Sequence, residues 1–158
     1  MPVFYLDTSA LLKRYRTEAG SQVVDQIFGA KQADETLTTS YYTVLEGMSV
    51  ARRLLKGRVL HRPAYNALMA RFLDDASNVF LIQSMSDDVI ARAIDVAAKH
   101  ALRPGDSVQL ASALIIQETI PHERVVLFVS DRELYDAGIA AGIDAINPEN
   151  ANAVSLLG

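Results

Sequence analysis

The chain contains no cysteine. Disulfides, thiolate nucleophiles and thiolate-held zinc are therefore excluded, and a reducing compartment suits it. No apolar run approaches the roughly 20 residues that span a bilayer. No basic region followed by a long apolar stretch opens the sequence, so no signal peptide is expected. The expectation is a soluble, cytoplasmic protein without membrane contact. Repeats, low-complexity tracts and linker-like composition breaks are missing as well. At 158 residues, 50% hydrophobic and 22% charged, the chain suits a single domain over 1–158 with a full core. Histidine is scarce, and His61, His100 and His122 have no metal-ligand spacing, so each reads as a surface residue.

A further gap is local. No Asp or Glu lies between Glu46 and Asp74, while Arg52, Arg53, Lys56, Arg58, Arg62 and Arg71 all fall there. The net charge of −4 hides this asymmetry. Residues 1–71 carry ten Lys or Arg against six acids, and residues 72–158 carry five against thirteen. Overall acidity argues against indiscriminate adhesion to nucleic acid. The basic window reads either as a solvated helical hairpin or as a shoulder for a phosphate backbone or an acidic partner.

What is present alternates. Short apolar runs of strand type stand at VFYL (3–6), TLTT (36–39), VFLI (79–82), VVLFV (125–129) and near Ala145–Ile146. Between them lie an amphipathic stretch from Ser9 to about Lys31 and a long helical region from Ser40 to Ser77, broken near Gly57 and Pro63. Helices over Ser86–His100, Pro104–Gln117 and Asp131–Ala141 follow, the last closed by Gly142. Such alternation predicts an α/β fold: a mostly parallel sheet of about five strands with helices on both faces.

Most of the 19 acids have simple explanations. Asp87 and Asp88 follow Ser86 at a helix start, where the dipole favours them. Asp74 and Asp75 end a polar helical face, and Glu18, Asp25, Asp34, Glu35 and Glu149 read as turn or surface charges. Four acids differ. Asp7 ends the first strand, directly before Thr8 and Ser9. Glu46 sits beside Val44, Leu45 and Met48 on a helix expected to face the core, nearly two turns inside a start at Ser40. Asp106 opens the most apolar helix, and Asp131 follows the VVLFV strand.

Each has a structural alternative. Asp7 and Asp106 could be helix caps, Glu46 could form a capping box with Thr43, and Ser130 with Glu133 could do so around Asp131. Taken together they argue otherwise. Parallel strands share direction, so Asp7, Asp131 and the helix start at Asp106 fall on one edge of the sheet, where open α/β sheets bind ligands. Carboxylates gathered there would repel and raise one another's pKa. A divalent cation resolves the conflict, and all-oxygen ligation suits Mg²⁺ or Mn²⁺.

YLDTSALLKRY followed by EAGS, the Ser40-to-Glu46 spacing with Arg52 downstream, LRPGDSVQLASAL and VSDRELYDAGIAAGIDAINPE occur in that order along nearly the whole chain. In order and spacing they resemble PIN-domain proteins, and specifically VapC-type toxins of toxin–antitoxin pairs. The resemblance implies a three-layer α/β/α fold and a Mg²⁺- or Mn²⁺-dependent ribonuclease. By motif match Asp7, Glu46, Asp106 and Asp131 become the acidic quartet, with Asp7 and Asp106 the primary metal ligands and Thr8, Ser9 and Ser130 supporting hydroxyls. Where the family often has a hydroxyl two residues before its last Asp, this chain has Val129, with the hydroxyl on Ser130. The resemblance also implies an RNA substrate, a homodimer and an inhibitory antitoxin reaching the acidic pocket with an Arg or Lys. The basic shoulder would supply phosphate contacts, with Lys13, Arg14 and Arg16 as further candidates.

Two alternatives stand beside this reading: a non-catalytic PIN-like scaffold for RNA or protein, and a metal-dependent phosphohydrolase of small substrates. A haloacid-dehalogenase-type phosphatase needs a second Asp two residues after the first, where this chain has Ser9. A receiver domain needs adjacent acids at its first strand end and a Lys after its last strand, and neither is evident.

Overall fold

The computed structural model describes residues 2–29 and 35–157; Asp34 and the end of the expected amphipathic stretch at Lys31 lie outside them. The strands β1 (Val3–Leu6), β2 (Thr36–Ser40), β3 (Leu81–Gln83), β4 (Val125–Phe128) and β5 (Asp144–Ile146) form one sheet in the order β3-β2-β1-β4-β5. Every pairing is parallel, with Val3 opposite both Thr36 and Val125. The helices are α1 (Thr8–Leu11), α2 (Ser21–Gly29), α3 (Tyr41–Lys56), α4 (Arg62–Asn78), α5 (Asp87–His100), α6 (Pro104–Thr119) and α7 (Arg132–Ala140).

The pleat divides the core in two. Successive side chains of a strand point to opposite faces, and β1 is buried throughout because both of its faces are covered. Phe4 and Leu6 pack with Val126, Phe128 and Ile146 under α1, α2, α4 and Ala51 of α3. Val3 and Tyr5 pack with Val125, Leu127 and Val129 under α5, α6 and α7. The predicted layers are therefore present, with β1 at the centre of the sheet.

Three local expectations are corrected. The stretch from Ser9 is not one helix. It is the single turn α1, a 3₁₀ turn over Leu12–Arg14 and then α2. Gly20 reverses the chain at φ +87°, and a Cβ there would lie 2.9 Å from the Pro148 backbone. Ser21 secures the break by donating from Oγ to the Lys13 and Arg16 carbonyls. Second, β3 begins two residues into the VFLI run, at Leu81: the Val79 N–H donates to the Asp75 carbonyl at the end of α4, and Phe80 turns into the core. Third, the inward face of α3 is small (Thr43, Gly47 and Ala51), which lets the Phe72 ring approach closely, while Leu45 and Met48 point outward at 66% and 41% exposure.

Candidate active site

Four chain segments deliver carboxylates to the carboxyl edge of the sheet. Asp7 follows β1 and is itself the N-cap of α1: its Oδ1 accepts from the Ala10 N–H at 2.9 Å. Ser9 Oγ lies 2.8 and 2.9 Å from the two Asp7 carboxylate oxygens and accepts from the Ser130 N–H at 2.9 Å. The D-x-S spacing thus ties the end of β1 to the turn after β4. Ser130 contributes this backbone N–H; its Oγ is buried without a hydrogen-bond partner among the described residues.

Asp131 is the N-cap of α7, accepting from the Leu134 N–H, so the Ser130–Glu133 capping box does not form. Ser40 caps α3 by accepting from Thr43 N–H. Glu46 accordingly lies inside the helix, free of any capping role. Tyr42, one turn earlier, donates its hydroxyl to Glu46 Oε2 at 2.9 Å. Asp106 occupies the first turn of α6, whose N-cap is Arg103.

All four carboxylates line one cleft of about 390 Å³, together with Thr8, Ser9, Tyr42 and Arg103. Burial is the main force pushing the Asp7 carboxyl up to about 7, and the nearby Asp106 charge adds to it against the Ala10 and Ser9 hydrogen bonds. Burial also raises Asp106, opposed by the Arg103 guanidinium and assisted by Asp131 and Glu46. The Tyr42 phenol is pushed up to about 12 by burial and by the Glu46 carboxylate that accepts from it.

Sequence reasoning missed three side chains here. Exposed Arg103 bridges Asp106 at 3.1 Å and Asp131 at 3.5 Å. Tyr42 holds Glu46. Gln109, 1% exposed, sits behind the cleft: its Oε1 accepts from Tyr5 Oη at 2.7 Å, and its Nε2 donates to Thr8 and Thr43 Oγ1 at 3.1 and 2.9 Å. The available signals were Arg103 three residues before Asp106, Tyr42 four before Glu46, and a Gln in the most apolar helix.

The donors match a hard divalent cation in kind, being carboxylates and hydroxyls without His or Cys. In the side-chain arrangement seen, no three acidic or histidine groups among the described residues converge on one point. An ion entering between Asp106 and Asp131 would have to displace the Arg103 guanidinium. Lys13 and Arg14 are unavailable to a substrate. Buried Lys13 pairs with Glu149 and Glu18, and Arg14 pairs with Asp25 beside the Phe28 ring.

The sequence model of the PIN domain matches residues 4–139. The chain belongs to the PIN-domain family. It is 29% identical over 145 residues to Ribonuclease VapC45 of Mycobacterium tuberculosis, covering 90% of this chain and 93% of that protein. FitAcB from Neisseria gonorrhoeae superposes with a TM-score of 0.66 at 19% identity, covering 92% of this chain and 97% of that one. A toxin–antitoxin complex from Klebsiella pneumoniae gives 0.61 at 19% identity, covering 91% and 96%. This PIN chain therefore shares the fold of those structures.

Proposed function

We propose that this PIN-domain chain is a VapC-type ribonuclease, the toxin of a toxin–antitoxin pair, cleaving RNA phosphodiesters at a Mg²⁺ or Mn²⁺ site. The observation that carries the reading is the gathering of Asp7, Glu46, Asp106 and Asp131 in one cleft, each from a different segment. Asp7 and Asp131 also cap helices, but capping gives Glu46 and Asp106 no reason to join them. The similarity to Ribonuclease VapC45 supports the choice of RNA.

Asp7 and Asp106 would hold the ion, with Glu46 and Asp131 completing the site or orienting the attacking water. A bound Mg²⁺ or Mn²⁺ supplies charge for the phosphodiester oxygens and acidifies a coordinated water. The chain's own contribution is positional. Ser9 and the Ala10 N–H fix the Asp7 carboxylate, and Tyr42 fixes Glu46. Arg103, tethered by Asp106 and Asp131, is placed to meet a phosphate when an ion takes over its carboxylates. The same reading includes an antitoxin that closes the cleft, as the likeness to a toxin–antitoxin complex supports. It also includes a second copy of the chain, which would cover apolar surface such as Tyr41, Leu45 and Met48 on α3.

The Arg103 bridge gives the non-catalytic scaffold its best support, because a resident guanidinium already neutralises two of the acids. One experiment separates the two. Purified protein is incubated with single-stranded RNA in Mn²⁺ and in chelator. Cleavage is expected in Mn²⁺ alone, falling at least about a hundredfold in Asp7→Asn and Asp106→Asn, in line with losses seen when key transition-state contacts are removed. Asp87→Asn and Asp88→Asn should cleave as wild type does. Equal cleavage by Asp7→Asn and wild type would overturn the mechanism.

A further inference from the structure

We propose that a second cleft, at the far end of α3, binds the phosphate backbone of the single strand whose cleavage was proposed above, and therefore rests on that reading. The cleft, of about 340 Å³, is lined by Arg52, Arg53, Lys56 and Arg62 with Leu55. These residues come from the last turns of α3 and the first residue of α4. None of the four cations forms an ion pair among the described residues. The sequence supplies no acid between Glu46 and Asp74 that could serve.

Stability alone does not account for this cluster. Arg53 and Lys56 suit the negative end of the α3 dipole, but Arg62 opens α4, where a cation is opposed by the helix's positive end. His61, the N-cap there, makes no side-chain hydrogen bond to the free N–H groups of that terminus. Four cations lining one cleft without a carboxylate among them call for an anion. Arginine predominates, and its planar fork matches phosphate.

The position identifies which anion. Glu46 and Val50 line the carboxylate cleft, and Arg53 lines the basic one. Residues at i, i+4 and i+7 share one face of a helix, and seven residues rise about 10 Å. A strand with its scissile phosphate among the acids would pass its neighbouring phosphates along α3 into the basic cleft. The acidic cleft repels RNA, so attraction must come from beside it. An acidic protein tail could answer to the same charge, but nothing would then require the cleft to be collinear with the carboxylates.

The test uses a 12-nucleotide single-stranded RNA and the full chain carrying Asp7→Asn, so that the probe survives. Binding is measured by fluorescence anisotropy across a range of KCl concentrations. Neutralising a phosphate contact reduces the salt slope by about 0.7 per phosphate for single strands. The triple variant Arg52→Gln, Arg53→Gln, Lys56→Gln should bind at least about tenfold more weakly, with a slope shallower by about 2. Lys99→Gln, on a different helix, should leave both unchanged. Unchanged affinity and slope in the folded triple variant overturn the proposal, even if wild type cleaves RNA. If the triple variant loses RNA binding but wild type cleaves nothing in Mn²⁺, the RNA cleft stands and the nuclease reading falls. A polyglutamate peptide that binds the cleft while RNA binding ignores the substitutions would assign it to a protein partner and overturn the proposal.

Discussion

A carboxylate at 4% exposure is costly to keep ionised unless something holds its charge. Asp7 has the Ser9 hydroxyl and the Ala10 N–H, and still its carboxyl is pushed from 3.8 to about 7, first by burial and then by Asp106. The sign follows from linkage. Between those two values the folded chain holds a proton that the unfolded chain has released, so stability falls as pH rises. In chelator, the melting temperature should therefore decline from about pH 4 to about pH 7, the range set by those values. Asp7→Asn should lack this share of the decline and melt above wild type at pH 8. Asn caps a helix as well as Asp does, so loss of the cap does not confuse the comparison. Millimolar Mg²⁺ should reverse the order, since a ligand bound only by the native state adds about 2.7 kcal/mol at a hundredfold excess over its Kd. Calorimetry of both proteins, with and without Mg²⁺, reads all of this; a wild type indifferent to Mg²⁺ and Mn²⁺ would remove Asp7 from the metal site.

Among the elements, α3 and α6 position the cleft through a contact that charge patterns do not reveal. A Cβ on Gly105 would lie 2.9 Å from Tyr42 Cζ and closer still to its hydroxyl, so this glycine is the space in which the Glu46-holding phenol sits. Gly105→Ala should leave stability within about 1 kcal/mol, since alanine favours the helix while half-buried Tyr42 can swing outward. RNA cleavage should nevertheless fall at least about tenfold as Glu46 loses its orientation, a plausible scale for a displaced positioning contact. Cleavage at the wild-type rate would deny Tyr42 that role. In the sequence, Gly105 after Pro104 reads as helix-start punctuation, because its partner lies 63 positions away. The acids themselves were legible, as each stands at the end of a periodic segment or inside one. VFYL and VVLFV were legible as strands because burial on both faces demands continuous apolar residues. VFLI was not placed correctly, because its first two residues serve the end of α4 and the core instead of the ladder. Leu45 and Met48 misled because apolar residues at helical spacing signal a buried face, whereas α3 buries its smallest side chains.

At the scale of the whole molecule, the chain starts in the middle of its sheet, fills one side with β2 and β3, and returns through α6 to fill the other with β4 and β5. That reversal beside β1 opens a crevice at the carboxyl ends of the strands, and something must join the two halves beneath it. Gln109 on α6 does so, binding Tyr5 of β1, Thr8 of α1 and Thr43 of α3 with both ends of its amide. All four side chains are buried, so any group left unpaired pays the full desolvation penalty, about 1–3 kcal/mol. Gln109→Leu should therefore destabilise by about 2–3 kcal/mol, and Tyr5→Phe by about 1. The double variant should cost less than the sum by about 1 kcal/mol, because the apolar pair leaves no tyrosine hydroxyl stranded. Urea denaturation of the four proteins completes the cycle, and strict additivity would show that the bond does not couple α6 to β1. The halves should also differ in function. Gln109→Leu frees Thr8, the neighbour of Asp7, and should slow RNA cleavage well beyond Tyr5→Phe, which leaves the Thr8 and Thr43 bonds in place.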